Sequence, residues 1–130
     1  MKIMVCYDGS RPSIEAFKLA KEHAKAFGGD IIIASSMTKG TEAEQKDIDE
    51  IKEELKALKG ESIDEGISCE THLLIRGLSA GEDLVQFAEE VKANEIIIGV
   101  KRRSKVDKFV FGSTCQFVIL KAPCPVVTVK

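Results

Sequence analysis

Two glycine-marked positions flank one segment of the chain, and together they carry its strongest chemical signal. Gly99 follows an isoleucine run, and Gly112, Ser113 and Thr114 stand where a helix is predicted to begin. Glycine permits a ligand to approach the backbone closely, and the N–H groups at a helix start attract anions. Each position by itself fits an ordinary strand-end turn or a helix cap. Both ends of one loop together favour a phosphate site.

The segment between these positions is strongly basic. Residues 101–108 read KRRSKVDK, which is five cations and one anion in a chain of formal net charge -2. A charge run is usually solvated surface, but beside a helix start that binds anions it indicates attraction of a polyphosphate. One short basic loop in an acidic protein with 5% aromatic residues argues against a nucleic-acid partner.

Asp8 follows the first predicted strand. Its carboxylate could accept hydrogen bonds from ribose hydroxyls or help to hold Mg²⁺, and it could equally form an Asx-turn that starts the first helix. The sequence leaves both roles open. It contains no GxxxxGK[ST] loop, no GxSxG elbow and no evident general base, so little or no hydrolysis is expected.

The elements that must position these residues alternate between strands and helices. The isoleucine runs predict strands buried on both faces, and capping residues and glycines mark the helix ends. The predicted strands cover residues 1–7, 31–33, 67–75, 95–98 and 125–129. A polar loop is expected over residues 100–111.

Four helices are predicted between these strands. The first begins after Ser10 and ends at Gly28, with an apolar stripe of Ile14, Phe17, Ala20, Ala24 and Phe27. The second begins at a capping box of Thr41 with Glu44 and ends at Gly60. The third begins at Ser79 with Glu82, and the fourth at Ser113 with Gln116.

Alternation of strand and helix is typical of a parallel sheet with helices on both faces. The third strand is polar and is placed at an edge, so right-handed crossovers favour the order 3-2-1-4-5. We therefore predict an α/β fold in which residues 1–130 form a single doubly wound domain, with a five-stranded parallel sheet and four helices. Ligands of such sheets bind at the carboxyl ends beside the switch between strands 1 and 4, where Asp8 and Gly99 lie.

Composition limits the class of protein. A chain of 14.2 kDa with 44% apolar and 31% charged residues is that of one globular domain with a core. Its apolar runs are far shorter than the roughly 20 residues that span a bilayer, and it shows no signal-peptide pattern, so the cytoplasm is expected and a membrane is not. Its four cysteines lack CxxC spacing and are interpreted as buried packing residues, not as zinc ligands or disulfides.

These motifs together resemble the universal stress protein family over essentially the whole chain. The resemblance is carried by Val5, Asp8 and Ser10, by Arg76-Gly77, by the Gly99 to Gly112-Ser113 loop, and by APCPV at residues 122–126. It implies the 3-2-1-4-5 sheet, a role in stress response, binding of ATP (or AMP or ADP) with or without Mg²⁺, little catalysis, and a homodimer through the last strand.

The resemblance also implies roles for single residues. Asp8 matches the family's ribose-side or metal-side aspartate, and Ser36 matches the residue whose backbone holds adenine. Gly99, Gly112, Ser113 and Thr114 match phosphate and ribose contacts. Arg102 departs from the pattern, because the family has a glycine there. The bulky cation either clamps phosphate or blocks the site, and we expect the clamp.

Two functions of different classes remain open on these grounds. The first is an ATP-binding regulatory protein. The second is an interaction module of the same fold that binds no nucleotide and acts through its dimer and a protein partner. The last strand, Pro125–Val129, reads PVVTV and is predicted as an apolar sheet edge, which favours pairing with a second copy.

Overall fold

The computed structural model describes residues 1–37, 42–103, 108–109 and 112–130, with the backbone alone described for residues 42–44, 102–103 and 108–109. The strands are β1 (Lys2–Cys6), β2 (Asp30–Ser36), β3 (Cys69–Leu74), β4 (Glu95–Gly99), β5 (Arg102–Arg103), β6 (Lys108–Phe109) and β7 (Val126–Val129). The helices are α1 (Arg11–Phe27), α2 (Glu42–Asp64), α3 (Ala80–Val91) and α4 (Ser113–Lys121).

Five strands form one sheet in the order β3-β2-β1-β4-β7, and every pairing within it is parallel. Because β7 is the fifth predicted strand, this is the predicted order 3-2-1-4-5. The chain reverses its direction of winding between β1 and β4, and the carboxyl ends of these two strands therefore border a crevice. The edge strands of the sheet are β3 and β7, both as predicted.

The two faces of the sheet carry separate hydrophobic cores. On one face, α1 and α2 pack through Phe17 and Leu55 against Ile3 of β1 and its neighbours. On the other, α3 and α4 pack through Leu84 and Val118. The prediction of helices on both faces is therefore confirmed. Within the part of the chain described, no helix is both long and apolar enough to cross a membrane.

The first helix begins as predicted. The Ser10 side chain accepts a hydrogen bond from the Ser13 N–H, and the chain leaves the helix through Gly28 at a φ of 67°. Its predicted apolar stripe is correct in the middle and wrong at both ends, because Ile14 is 36% exposed and Phe27 is 61% exposed. Phe27 is the last residue of α1, and its ring meets that of His23 edge-on.

Two helix boundaries differ from the prediction. Helix α2 continues through Gly60 to Asp64, because an exposed glycine within a helix costs only about 1 kcal/mol. The turn that ends it is made at Gly66, whose φ is 77°. Thr41, the predicted cap, lies outside the described residues. Helix α4 is capped by Gly112 and not by Ser113, which is its first residue.

The segment predicted as a polar loop contains a short hairpin. Strands β5 and β6 pair in antiparallel fashion, with Arg102 opposite Phe109 and Arg103 opposite Lys108. Two-residue strands give too short a pattern for sequence periodicity to detect. Residues 104–107, which connect them, lie outside the described ranges.

Candidate nucleotide site at the sheet edge

A cavity of about 430 Å³ lies at the carboxyl ends of the central strands, a size that suits a small-molecule ligand. Six of the seven predicted site residues line it: Asp8, Ser36, Gly99, Gly112, Ser113 and Thr114. The seventh, Arg102, has its backbone in β5, and its side chain lies outside what the structure describes. The carboxyl ends of three strands supply Asp8, Ser36 and Gly99, and the start of α4 supplies the other three.

The start of α4 forms one wall of the cavity. Gly112 is the N-cap in an extended conformation, and no side chain caps the helix. The first hydrogen bond of the helix runs from the Gln116 N–H to the Gly112 carbonyl. The N–H groups of the preceding residues have no partner within the helix, as at every helix start, and they point outward with the positive end of the helix dipole. This wall suits an anion.

The two glycines of the loop serve different purposes. A Cβ added to Gly112 would have no atom within 4 Å, so the space in front of it is open. A Cβ added to Gly99 would lie 2.5 Å from the backbone carbon of Pro12. Close packing of the start of α1 against β4 thus requires a glycine at this position, and approach of a ligand to the Gly99 backbone, which lines the cavity, stays a prediction. Gly112 is the glycine that leaves room for a ligand.

Asp8 has partners on both carboxylate oxygens. Oδ1 accepts a hydrogen bond from the Ser10 N–H at 2.9 Å and another from the Ser10 hydroxyl, which completes an Asx-turn ahead of α1. Oδ2 lies 2.9 Å from Lys101 Nζ. Partial burial raises the pKa of Asp8, but hydrogen bonds from Ser10 and Lys101 outweigh it and hold the pKa below its ordinary value.

These contacts bear on the prediction that Asp8 holds Mg²⁺. A magnesium ion needs several oxygen ligands, and among the residues that the structure describes a single carboxylate faces the cavity, with an ammonium group already on its outer oxygen. Among the described residues, no group of three or more His, Cys, Asp or Glu side chains could hold a metal ion. The donor set therefore does not fit a resident metal ion at Asp8.

A buried charged residue that the sequence analysis did not predict lies behind the cavity. Asp83 of α3 is fully buried, and its Oδ2 accepts a hydrogen bond from Ser36 Oγ at 2.7 Å. Arg76 donates from Nε to Asp83 Oδ1 at 2.6 Å and from Nη1 to both oxygens of Glu90. One signal could have revealed the pair: Asp83 precedes Phe87 by one turn and so stands on the apolar face of α3, where an acid needs a partner.

The two thiols of the cavity lie where burial disfavours the thiolate, which is the nucleophilic form of cysteine. Cys6 and Cys115 both line it and both are buried. Burial raises the pKa of Cys6 to about 12 and also raises the pKa of Cys115. The prediction that Cys115 is packing material, in spite of its place in the first turn of α4, agrees with this. His23 and His72 lie outside the cavity wall, with Glu95 and Glu70 as their respective partners.

Comparison with known proteins identifies relatives along the full chain. The model of the universal stress protein family matches residues 1–130. A universal stress protein of Methanocaldococcus jannaschii is 33% identical over 99% of this chain and 81% of its own length.

Two solved structures from Archaeoglobus fulgidus have the same fold along the whole chain. A universal stress protein is 37% identical with a TM-score of 0.89, covering 100% of this chain and 98% of the other. A universal stress protein in complex with dAMP is 35% identical with a TM-score of 0.83 and the same coverage.

Proposed function

This chain belongs to the universal stress protein family, and we propose that it is a regulatory protein of stress response that binds ATP, or ADP or AMP, with little or no hydrolysis. In this proposal residues 1–130 form one nucleotide-binding domain. The observation that carries it is the cavity in which Ser36, Asp8 and the start of α4 face a common space. The dAMP complex of the archaeal relative supports an adenine nucleotide as ligand.

The nucleotide is expected to lie along the carboxyl edge of the sheet. Its phosphates meet the N–H groups of Ser113 and Thr114 in front of the open Gly112, where the helix dipole stabilises negative charge. Lys101 lies at the same end, beside Asp8. The ribose lies near Asp8, and the base lies toward Ser36 at the end of β2.

The role of Arg102 can be tested by comparing ATP with adenosine, which has no phosphate. Arg102 is expected to bind phosphate, so Arg102→Ala should weaken ATP binding by about 1–3 kcal/mol and leave adenosine binding almost unaffected. Tighter binding of ATP by this variant would mean that the side chain blocks the site.

Residence in the cytoplasm stays a prediction from the sequence.

Little hydrolysis is expected because the described part of the cavity wall holds no histidine, and its one carboxylate, Asp8, already accepts from Ser10 and pairs with Lys101. Phosphate release faster than about one per second, the lower end of ordinary enzyme turnover, would contradict this expectation. An Asp8→Ala preparation serves as the control for contaminating ATPases, since a contaminant would be unaffected by the substitution.

The decisive experiment asks what the protein carries and binds. Mass spectrometry of the protein purified under native conditions should detect an adenine nucleotide, and calorimetry should give a dissociation constant in the micromolar range, about -8 kcal/mol. Absence of heat with ATP and with AMP, both with and without Mg²⁺, would refute nucleotide binding. It would favour the alternative of an interaction module with the same fold.

A further inference from the structure

Ser36 is held by a chain of charged groups that reaches the surface. Its hydroxyl donates to the fully buried Asp83, which also accepts from Arg76, and Arg76 in turn binds Glu90. Arg76 adds a hydrogen bond from Nη2 to the Asp83 carbonyl at 3.1 Å, and its guanidinium lies over the Phe87 ring. These contacts fix the position of the Asp83 carboxylate on two sides.

The partners decide which way the Ser36 hydroxyl points. A serine hydroxyl has one hydrogen and two lone pairs. Arginine has only donors, so Asp83 accepts the hydrogen bond from Arg76 at Oδ1. Asp83 is likewise an acceptor at Oδ2, the oxygen that meets Ser36. The single hydrogen of Ser36 is therefore committed to Asp83. Toward the cavity that Ser36 lines, its hydroxyl can only accept a hydrogen bond.

The place of Ser36 in the sheet assigns it to the base end of the site. Gly99 ends β4, next to the phosphate-binding wall, and Ser36 ends β2 on the far side of β1. Neighbouring strands are about 4.8 Å apart, so the two residues are separated by about 10 Å along the sheet edge. That distance suits a nucleotide whose phosphate lies at α4 and whose base reaches β2.

Resting on the proposed function, we infer that Ser36, oriented by Asp83 and Arg76, is a specificity-determining residue that accepts a hydrogen bond from the 6-amino group of adenine. A base with a carbonyl at that position would place one acceptor against another. Asp83 and Arg76 act through Ser36 and are positioning residues, since neither is in the cavity wall.

Three monophosphates that differ at the 6-position of the purine test this inference by calorimetry. AMP carries an amine there, purine riboside 5′-monophosphate carries hydrogen, and IMP carries a carbonyl. The unmodified protein should bind AMP about tenfold more tightly than either analogue, the size of one hydrogen bond. Equal binding of the three would overturn this inference and leave the proposed function standing. Failure of AMP to bind would refute both.

Two variants separate recognition from a structural role. Ser36→Ala should weaken AMP about tenfold, leave purine riboside 5′-monophosphate unchanged, and leave IMP unchanged or bound more tightly because the opposing acceptor is gone, so the preference for AMP is lost. In Asp83→Asn, the amide oxygen must face Arg76, because Arg76 has only donors. The amide N–H₂ then donates to Ser36. The serine hydrogen is released toward the cavity, and the ratio of AMP to IMP affinity should fall to one or below.

Ser35→Ala is the matched control, because this neighbouring hydroxyl donates to the Tyr7 carbonyl and is buried away from Asp83. Its AMP to IMP ratio should equal that of the unmodified protein. If Asp83→Asn does not fold, Ser36→Ala decides the matter alone. Uniform weakening of all three ligands by Ser36→Ala would show a merely structural role and would overturn the inference.

Discussion

Lys101 Nζ lies 2.9 Å from Asp8 Oδ2, so a cation of the protein itself occupies the position where a metal ion would meet this carboxylate. The two side chains are 66% and 53% exposed, and an exposed ion pair of this kind is worth at most about 1 kcal/mol. Lys101 can therefore leave Asp8 for a phosphate group at small cost. The pair neutralises the cavity before a ligand enters.

The first prediction concerns the metal. Because Lys101 supplies the positive charge, the dissociation constant for ATP should differ by less than about threefold between Mg²⁺ and EDTA. Lys101→Gln should weaken ATP about fivefold in EDTA, the size of a partly exposed charge interaction, and should make binding depend on Mg²⁺. Calorimetry measures both. Lys121→Gln, at the other end of α4, is the control, and a strong Mg²⁺ requirement in the unmodified protein would contradict the prediction.

Gly112→Val tests access to the start of α4. The residue is extended, so valine fits the backbone without strain, but its branches would fill the open space in front of the helix. Binding of ATP should weaken at least tenfold. Adenosine, which has no phosphate, should bind this variant as it binds the unmodified protein. Equal loss of both ligands would place the phosphates elsewhere in the cavity.

Substitution at the other glycine should damage the fold. The Cβ of Gly99→Ala would lie 2.5 Å from the Pro12 backbone, so α1 must move away from β4. We expect a loss of about 1–3 kcal/mol in the free energy of unfolding, typical of overpacking. Urea denaturation measures it. Gly112→Ala, which meets no atom, is the control and should unfold as the unmodified protein does.

The charge of Glu65 should make the melting temperature of the protein depend on pH. It accepts hydrogen bonds at 2.6 Å from Lys21 and from Lys25, which lower its pKa from 4.5 to about 2. A carboxyl group whose pKa is lower in the folded state than in the unfolded state stabilises the fold at pH values above its unfolded-state pKa. This stabilisation is lost as the pH falls through the folded-state pKa. The melting temperature of Glu65→Gln should thus be lower than that of the unmodified protein at pH 7.

The difference in melting temperature between Glu65→Gln and the unmodified protein should narrow below pH 4.5 and disappear near pH 2. Measuring the difference in melting temperature removes the effect of all other carboxylates that titrate over this range. Glu22→Gln, an exposed acid on α1, is the control. A difference that stays constant with pH would show that Glu65 acts through packing and not through its charge.

The strand order could be predicted from the sequence because it depends on local patterns, namely isoleucine runs, a polar edge strand and the handedness of crossovers. The role of Gly99 could not, since its contact is with Pro12 on a different element. For the same reason Asp83 was missed: Ser36, its partner, lies 47 residues earlier in the chain. Gly60 and Gly66 look alike in sequence, and only the backbone angle distinguishes the glycine that ends α2.

The last prediction is that two copies of the chain form a homodimer through β7, as the family resemblance implies. The valines Val126, Val127 and Val129 are half-buried at the sheet edge, and Leu120 of the neighbouring α4 is 78% exposed. An apolar edge strand of this kind pairs readily with another chain. A twofold axis would close the edges of both copies at once.

Hydrogen bonds within the sheet select the residue to change. The Pro125 carbonyl accepts from β4 and the Val129 carbonyl accepts from Val100, directly after β4, so the backbone of Val127, midway between them, also faces β4. The backbone of Thr128 therefore faces outward. Val127→Pro would therefore disrupt the sheet itself. Thr128→Pro removes an outward N–H and should convert a micromolar dimer into a monomer in sedimentation velocity runs, while Thr128→Val should not. A monomer at every concentration, or a dimer that Thr128→Pro leaves intact, would place the contact away from β7.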